Sequence, residues 1–388
     1  MLECGPNHAV ENSFAGLSGV IRTTLGAWRT SRETGPESGA IGSSWTRMTV
    51  ASNSRVFSTS RGAKLAFSEL GLGTAPLGNF LEAYTEEQCD LTIARSWDAG
   101  LRYFDTAPLY GLGLSENRVG RTLKEKKRSD FLLSTKVGRL LEPCARGESN
   151  AGIFVNTPQR RFVYDYSYDG VMRSFEASLS RLGLDRVDIL FVHDVDAPNH
   201  GGREGSEARI QELMTTGGWR ALEELRSSGV VAAIGAGVNE WQPCARLLEL
   251  ADPDLFLLAG RYTLLEQEPL DTLFPQCAAR GTGIVLGGPY NSGVLAGKST
   301  FNYGNIPADV ATRVRALAAV CRTFDVELRH AALQFASAHP LVVSVIPGAV
   351  SVAEVDDNVA SLAQPIPGAL WSELKERGLL HPDAPVPS

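Results

Sequence analysis

From residue 55 onward the chain alternates short apolar runs with longer stretches whose apolar residues recur every three or four positions. The short runs predict eight strands, at 70–75, 103–105, 131–136, 187–193, 231–238, 255–259, 284–287 and 343–346. The longer stretches predict helices at 85–99, 115–123, 168–182, 207–228, 241–250, 270–280, 308–324 and 352–362. Some ends carry their own signals. Thr85-Glu86-Glu87-Gln88 has the capping-box pattern of a helix start, and Asp98-Ala99-Gly100 and Ser228-Gly229 have the glycine that ends a helix. Ahead of the first strand, 56–58 and 64–67 flank Arg61-Gly62 and predict a hairpin. Strict strand–helix alternation builds a parallel sheet. Eight such units over roughly 310 residues predict a closed α/β fold, the (β/α)8 TIM barrel. An open doubly wound sheet is disfavoured, because Gly71-Leu72-Gly73 lacks the third glycine of the GxGxxG fingerprint.

Residues 1–54 break this regularity. They are rich in Gly, Ser, Thr, Asn and Arg and show no sustained period. They read either as a disordered extension or as the product of a mis-assigned start, with Met48 as the true first residue; the barrel then occupies 55–388. The three arginines between 20 and 32 resemble those of a targeting peptide, but two features argue against that reading. Glu3, Glu11, Glu33 and Glu37 are acidic, and no compact apolar core precedes a cleavage site.

Composition removes several function classes. Lys and Arg number 37 against 44 Asp and Glu, so the net charge is 37 − 44 = −7. That balance argues against nucleic acid and against a polybasic membrane-surface role. The basic run from Lys124 to Arg128 is short and reads as a solvated helix end. No window approaches the roughly 18 apolar residues of a membrane span. The six cysteines are scattered without a CxxC pair, which fits free thiols in the cytoplasm better than disulfides or a metal site.

In a barrel the chemistry sits at the C-terminal ends of the strands. Those ends are polar in a suggestive way. The second expected strand ends Tyr103-Phe104-Asp105, followed by Thr106-Ala107-Pro108-Leu109-Tyr110-Gly111. The third ends Ser134-Thr135-Lys136, the fourth Val192-His193-Asp194, and the fifth Gly237-Val238-Asn239. Asp and Lys are rarely buried without a partner, so Asp105 and Lys136 are expected to pair inside the barrel mouth. Each residue also has an ordinary reading: a loop tyrosine, a core histidine, a structural ion pair. Those readings would have to coincide at successive strand ends.

These motifs, with Leu114-Ser115-Glu116 and Ile346-Pro347-Gly348, make the chain from about residue 70 to 379 resemble the aldo-keto reductases. Within that superfamily it is similar to the aldose 1-dehydrogenases (for L-fucose, D-threo-aldose and L-galactose) and to pyridoxal 4-dehydrogenase. The stretches carrying this are Asp165-Tyr166-Ser167-Tyr168-Asp169, Ala259-Gly260-Arg261-Tyr262-Thr263-Leu264-Leu265-Glu266 and Gly287-Gly288-Pro289-Tyr290-Asn291-Ser292-Gly293. The resemblance implies an NAD(P)-dependent oxidoreductase with Asp105, Tyr110, Lys136 and His193 as its catalytic set. Hydride transfer to or from nicotinamide needs a partner for the proton on the reacting oxygen. A free phenol ionises near pH 10, too high for a neutral-pH base, and a nearby ammonium lowers that value. Lys136 is expected to do this to Tyr110, with Asp105 holding Lys136 and His193 orienting the oxygen.

The resemblance also implies the cofactor contacts. Asn239 would hold the carboxamide, the loop through Pro289, Tyr290, Asn291, Gly293 and Leu295 the pyrophosphate, and Gly348, Ala349, Ser351, Glu354, Asp357 and Asn358 the adenosine. A helix start near Ser351 favours an anion. Glu354 stands where basic residues would meet a 2′-phosphate, and no Arg or Lys offsets it, so NAD is expected over NADP. The aromatic wall of many relatives falls at Gly287, leaving Tyr262 or Tyr290 to replace it. Around the substrate, Asn79, Phe80, Asp194 and Trp241 stand beside strand ends, and 139–165 forms a rim. The expected reaction is oxidation of a free aldose at its anomeric carbon to the lactone. The alternatives are pyridoxal oxidation, general carbonyl reduction, or a cofactor-binding sensor subunit without catalysis.

Overall fold

The computed structural model describes residues 53–387. The expectation of a disordered or mis-assigned N-terminus therefore lies outside the described residues, apart from its last two positions.

The first two strands, β1 (Ser54–Ser58) and β2 (Lys64–Ser68), pair antiparallel as a hairpin. Alternation along β2 turns Leu65 and Phe67 to one side, where both are buried. They join Tyr103, Ile189, Phe191, Leu255, Val285 and Val343 in one apolar cluster, with Phe57 packed against it. Ile189, Leu255 and Gly283 begin their strands, and Phe57 lies against Gly283. The hairpin thus caps the N-terminal end of the barrel.

Eight parallel strands follow: β3 (Leu72–Gly73), β4 (Tyr103–Asp105), β5 (Leu132–Val137), β8 (Ile189–His193), β9 (Ala233–Val238), β10 (Leu255–Ala259), β11 (Gly283–Gly287) and β12 (Val342–Ile346). The bridges Leu70–Val345 and Gly73–Gly348 bring the first strand back to the last, giving the nearly closed barrel that the alternation predicts. β3 is shorter than the expected 70–75. Thr74 donates both its N–H and its hydroxyl to the Asp105 carbonyl, and Pro76 then opens a 3-10 turn.

A larger apolar cluster lies between the barrel and its helices. The capping box at Thr85 is half realised: its hydroxyl accepts from the Gln88 N–H, while the Gln88 side chain donates to the Val350 carbonyl instead of turning back. The single helix expected at 207–228 is two, Arg203–Thr215 and Gly218–Ser227. Gly217 breaks it with φ of 85°, a conformation glycine adopts freely. Leu328–Ser337 and Gly368–Glu376 are helices that the apolar period did not reveal. In the first, seven consecutive residues from Ala331 to Ser337 are buried, so no polar face marks the turn. The rim at 139–165 contains a further antiparallel hairpin, β6 (Arg139–Pro143) with β7 (Arg160–Tyr164). Among the described residues no helix is long and apolar enough to cross a membrane.

Candidate active site

The barrel mouth brings together all four residues that the strand ends singled out. Lys136 donates to Asp105 Oδ2 at 2.6 Å and to the Thr106 carbonyl at 2.9 Å. Asp105 Oδ1 accepts from the Ser134 hydroxyl at 2.6 Å. Both members of this ion pair are almost fully enclosed, as the strand ends foretold. Burial raises the Asp105 carboxyl above its ordinary range, and the ammonium and hydroxyl pull it back. The Lys136 ammonium lies over the face of the Tyr110 ring, 4.7 Å from its centroid. Tyr110 meets His193 edge to face, with centroids 5.8 Å apart.

The protonation states differ from expectation in one respect. Desolvation, with the Asp105 and Asp194 carboxylates nearby, holds the Tyr110 phenol well above its ordinary value. Burial and these carboxylates outweigh the lowering anticipated from Lys136. Tyr110 is therefore a proton-bearing phenol in the free protein. His193 is neutral, since burial lowers its pKa well below the usual value and the Lys136 and Arg139 cations push the same way. Its Nδ1 is enclosed without a hydrogen-bond partner. Its Nε2 lies 3.4 Å from Asp194 Oδ2.

A cavity of about 500 Å³ runs from Asp105 and Tyr110, past Pro289, Tyr290 and Gly293, to Gly348, Glu354, Asp357 and Asn358. Asn291, Ser292 and Gly293 all take left-handed backbone conformations here. Two cations that sequence reasoning missed line the same end, Lys298 and Arg329. Lys298 donates to Glu354 at 2.9 Å and Arg329 to Asp357 at 2.7 Å. The reading that no Arg or Lys offsets Glu354 is thus corrected: the offsetting lysine is 56 residues away in sequence. The other Glu354 oxygen accepts from the Val350 N–H, and Ser351 caps the helix Val352–Ala363 by accepting from the Glu354 N–H.

Other expected contacts are placed differently. Leu295 and Ala349 are buried in the packing between barrel and helices. Asn291 is buried and donates to the Gly260 carbonyl. Asn239 donates from its side chain to Asp194 at 3.3 Å and accepts from the Tyr303 hydroxyl at 3.3 Å. Asn79 is not a pocket group: its oxygen accepts from the Tyr84 N–H and from Arg118, which fixes a left-handed turn. Trp241 packs against the outer core and is absent from the cavity lining. Tyr262 cannot wall the nicotinamide, because it is buried among Phe274, Phe335 and His339. Tyr290 does line the cavity and donates to Asn358. Phe80 and Tyr303, edge to face at 6.0 Å, line the open end. Phe154, from the β6–β7 connection, packs on Phe80 and Tyr110.

The model of the aldo/keto reductase family matches residues 69–377. The chain belongs to the aldo/keto reductase family. It is 40% identical over 329 residues to a pyridoxal 4-dehydrogenase of Microbacterium luteolum, covering 81% of this chain and 95% of the relative. It is 39% identical over 327 residues to a D-threo-aldose 1-dehydrogenase of a Pseudomonas species, covering 82% and 96%. An aldo-keto reductase from Bacillus halodurans, solved in its holo form, superposes with a TM-score of 0.63 at 25% identity over 87% of this chain and 99% of that one. The protein is an aldo/keto reductase-family oxidoreductase that acts on small molecules, and the family uses a nicotinamide cofactor. The cavity suits such a cofactor: it is elongated, glycine-lined at its centre and flanked by cations at one end.

Proposed function

We propose that this aldo/keto reductase oxidises the hemiacetal carbon of a free aldose to the lactone, with NAD as the preferred cofactor. The observation that carries the reading is the convergence of a phenol, a neutral imidazole and a buried Lys136–Asp105 pair, with Tyr110 and Asp105 lining one end of the elongated cavity. When bound, the nicotinamide supplies the hydride acceptor. The chain's own groups manage the oxygen. Neutral His193 donates one hydrogen bond to it and sets its direction. Tyr110 exchanges its proton: it donates in reduction, and in oxidation it must first be ionised. Lys136, facing the ring, stabilises the charge that Tyr110 gains, and Asp105 with Thr106 fixes where Lys136 stands.

Support for NAD comes from the partners of the two cations. Lys298 and Arg329 are each paired with a carboxylate, which lowers the positive charge a 2′-phosphate would meet, while Glu354 can accept from a 2′-hydroxyl. A second substrate reading has its own observation. Phe80, Phe154 and Tyr303 gather at the open end, and a planar heteroaromatic hemiacetal such as pyridoxal would stack there. The test is NADH formation by purified protein on L-fucose, L-galactose, D-arabinose and pyridoxal, each with NAD and with NADP. Sugar-dependent NADH supports the proposal. Turnover of pyridoxal alone keeps the chemistry and replaces the substrate, and a preference for NADP overturns the cofactor assignment.

A further inference from the structure

Outside the four residues at the strand ends, the barrel mouth holds a second buried ion pair. Arg139 opens β6, just after β5, and donates to Asp194 Oδ2 at 2.6 Å. Both side chains are more than nine-tenths enclosed. The guanidinium lies over two adjoining rings, with its carbon 4.6 Å from the centroid of Phe162 and 4.9 Å from that of Tyr164. It also donates to Asn199 at 3.1 Å. The Tyr166 hydroxyl donates to the His193 carbonyl at 2.8 Å, pinning the backbone between the two. Asp194 takes φ of 48°, so the chain turns sharply directly after His193 and aims the carboxylate back into the mouth.

That carboxylate touches both halves of the site. Oδ2 lies 3.4 Å from His193 Nε2, and Oδ1 accepts from the Asn239 side chain at 3.3 Å. We infer that Asp194, clamped by Arg139, is a positioning residue that fixes His193 as its Nε2–H tautomer and holds it in register with Asn239. The inference rests on the roles proposed above for Tyr110 and His193.

Three physical points carry it. First, Nδ1 of His193 is enclosed without a partner, and a proton there would be a buried unsatisfied donor. A carboxylate beside Nε2 favours the proton on that nitrogen, leaving it as the donor in the role proposed above for His193. Second, a buried ion pair seldom adds net stability, because desolvation offsets the attraction. Its placement against His193 gives it a use that packing alone does not. Third, the charge on Asp194 depends on its clamp. Burial pushes its carboxyl up to about 6, Asp196 adds to this, and Arg139 and Lys136 oppose it. Arg139 from β6, Lys136 from β5, His193 from β8, Asn239 after β9 and Asp196 are among the polar groups around it.

The test uses the full chain. In histidine 15N spectra of the unmutated protein, with the signal assigned by its loss in His193→Gln, His193 is expected as a single neutral Nε2–H tautomer. A mixture of tautomers, or the Nδ1–H form, overturns the inference whether or not Asp194→Asn folds. Asp194→Asn is expected to mix the tautomers and, on whichever substrate of the panel turns over, to lower kcat roughly 10- to 100-fold. The KM for NAD should stay within about threefold, and a larger primary isotope effect should appear with C1-deuterated substrate. Asp194→Glu should recover part of the loss. Asp194→Asn with an unchanged tautomer and unchanged kcat per folded molecule overturns the inference, even if its melting temperature falls. Tyr110→Phe, run alongside, separates the two claims. Full turnover in Tyr110→Phe refutes the proposed acid–base role and leaves the tautomer result standing.

Discussion

The Asp105–Lys136 pair allows a quantitative test that needs no substrate. Removing the charge of Asp105 leaves the Lys136 ammonium, which is 1% exposed, with the Thr106 carbonyl at 2.9 Å and the ring face of Tyr110 at 4.7 Å. Removing Lys136 leaves the Asp105 carboxylate with the Ser134 hydroxyl alone. Breaking a buried pair from one side costs about 3–5 kcal/mol. A desolvated cation–π contact returns about 1–2 kcal/mol to the orphaned lysine. Lys136→Met should therefore destabilise by about 3–5 kcal/mol and Asp105→Leu by about 1–4 kcal/mol. The double variant replaces both charges by apolar groups and should lose less than about 2 kcal/mol. At about 2–4 °C per kcal/mol, the single variants should melt on the order of 10 °C lower. The assay is a double-mutant cycle by denaturant unfolding, with calorimetry as a check. Simple addition of the two single losses, or a loss below about 1 kcal/mol in either, would refute the reasoning.

Three further outcomes are expected. Because desolvation and two carboxylates raise the Tyr110 phenol, the group is protonated at neutral pH; oxidation should speed up as pH rises into the alkaline range, while reduction should hold steady and then fall, and a pH–rate profile in each direction checks the sign. Glu354→Gln frees Lys298 from its carboxylate, and NADP should then bind about tenfold more tightly relative to NAD, measured by fluorescence titration. Gly120 lies where a Cβ would overlap the Leu182 carbonyl, so Gly120→Ala should force apart the helices Leu114–Leu123 and Tyr168–Leu182 and cost about 1–3 kcal/mol in thermal unfolding.

What could be read from the sequence was governed by distance along the chain. Barrel strands buried on both faces are runs of apolar residues, and Tyr103–Asp105 and Leu255–Ala259 stand out residue for residue. Asp105, Lys136 and His193 are legible because each ends such a run. The β6–β7 hairpin is not. Arg139-Leu140-Leu141-Glu142-Pro143 and Arg160-Arg161-Phe162-Val163-Tyr164 carry charges and a proline, and 16 residues separate Pro143 from Arg160. Arg139 was thus visible only as rim. Asn79 was misread because its turn geometry and its proximity to a strand end look alike in sequence; only Arg118, 39 residues on, shows that its oxygen is occupied. The Lys298–Glu354 contact likewise joins positions that no local pattern links.

The central claim is that one phenol carries the proton for a hemiacetal oxidation, and the most direct measurement compares unmutated protein with Tyr110→Phe. NADH formation on the sugar and pyridoxal panel would be followed together with NADH binding by fluorescence. Turnover is expected on at least one hemiacetal, lost by more than about 100-fold in Tyr110→Phe while cofactor affinity stays within about threefold. Undiminished turnover in the variant, or cofactor binding without turnover of any of these compounds by the unmutated protein, would contradict it.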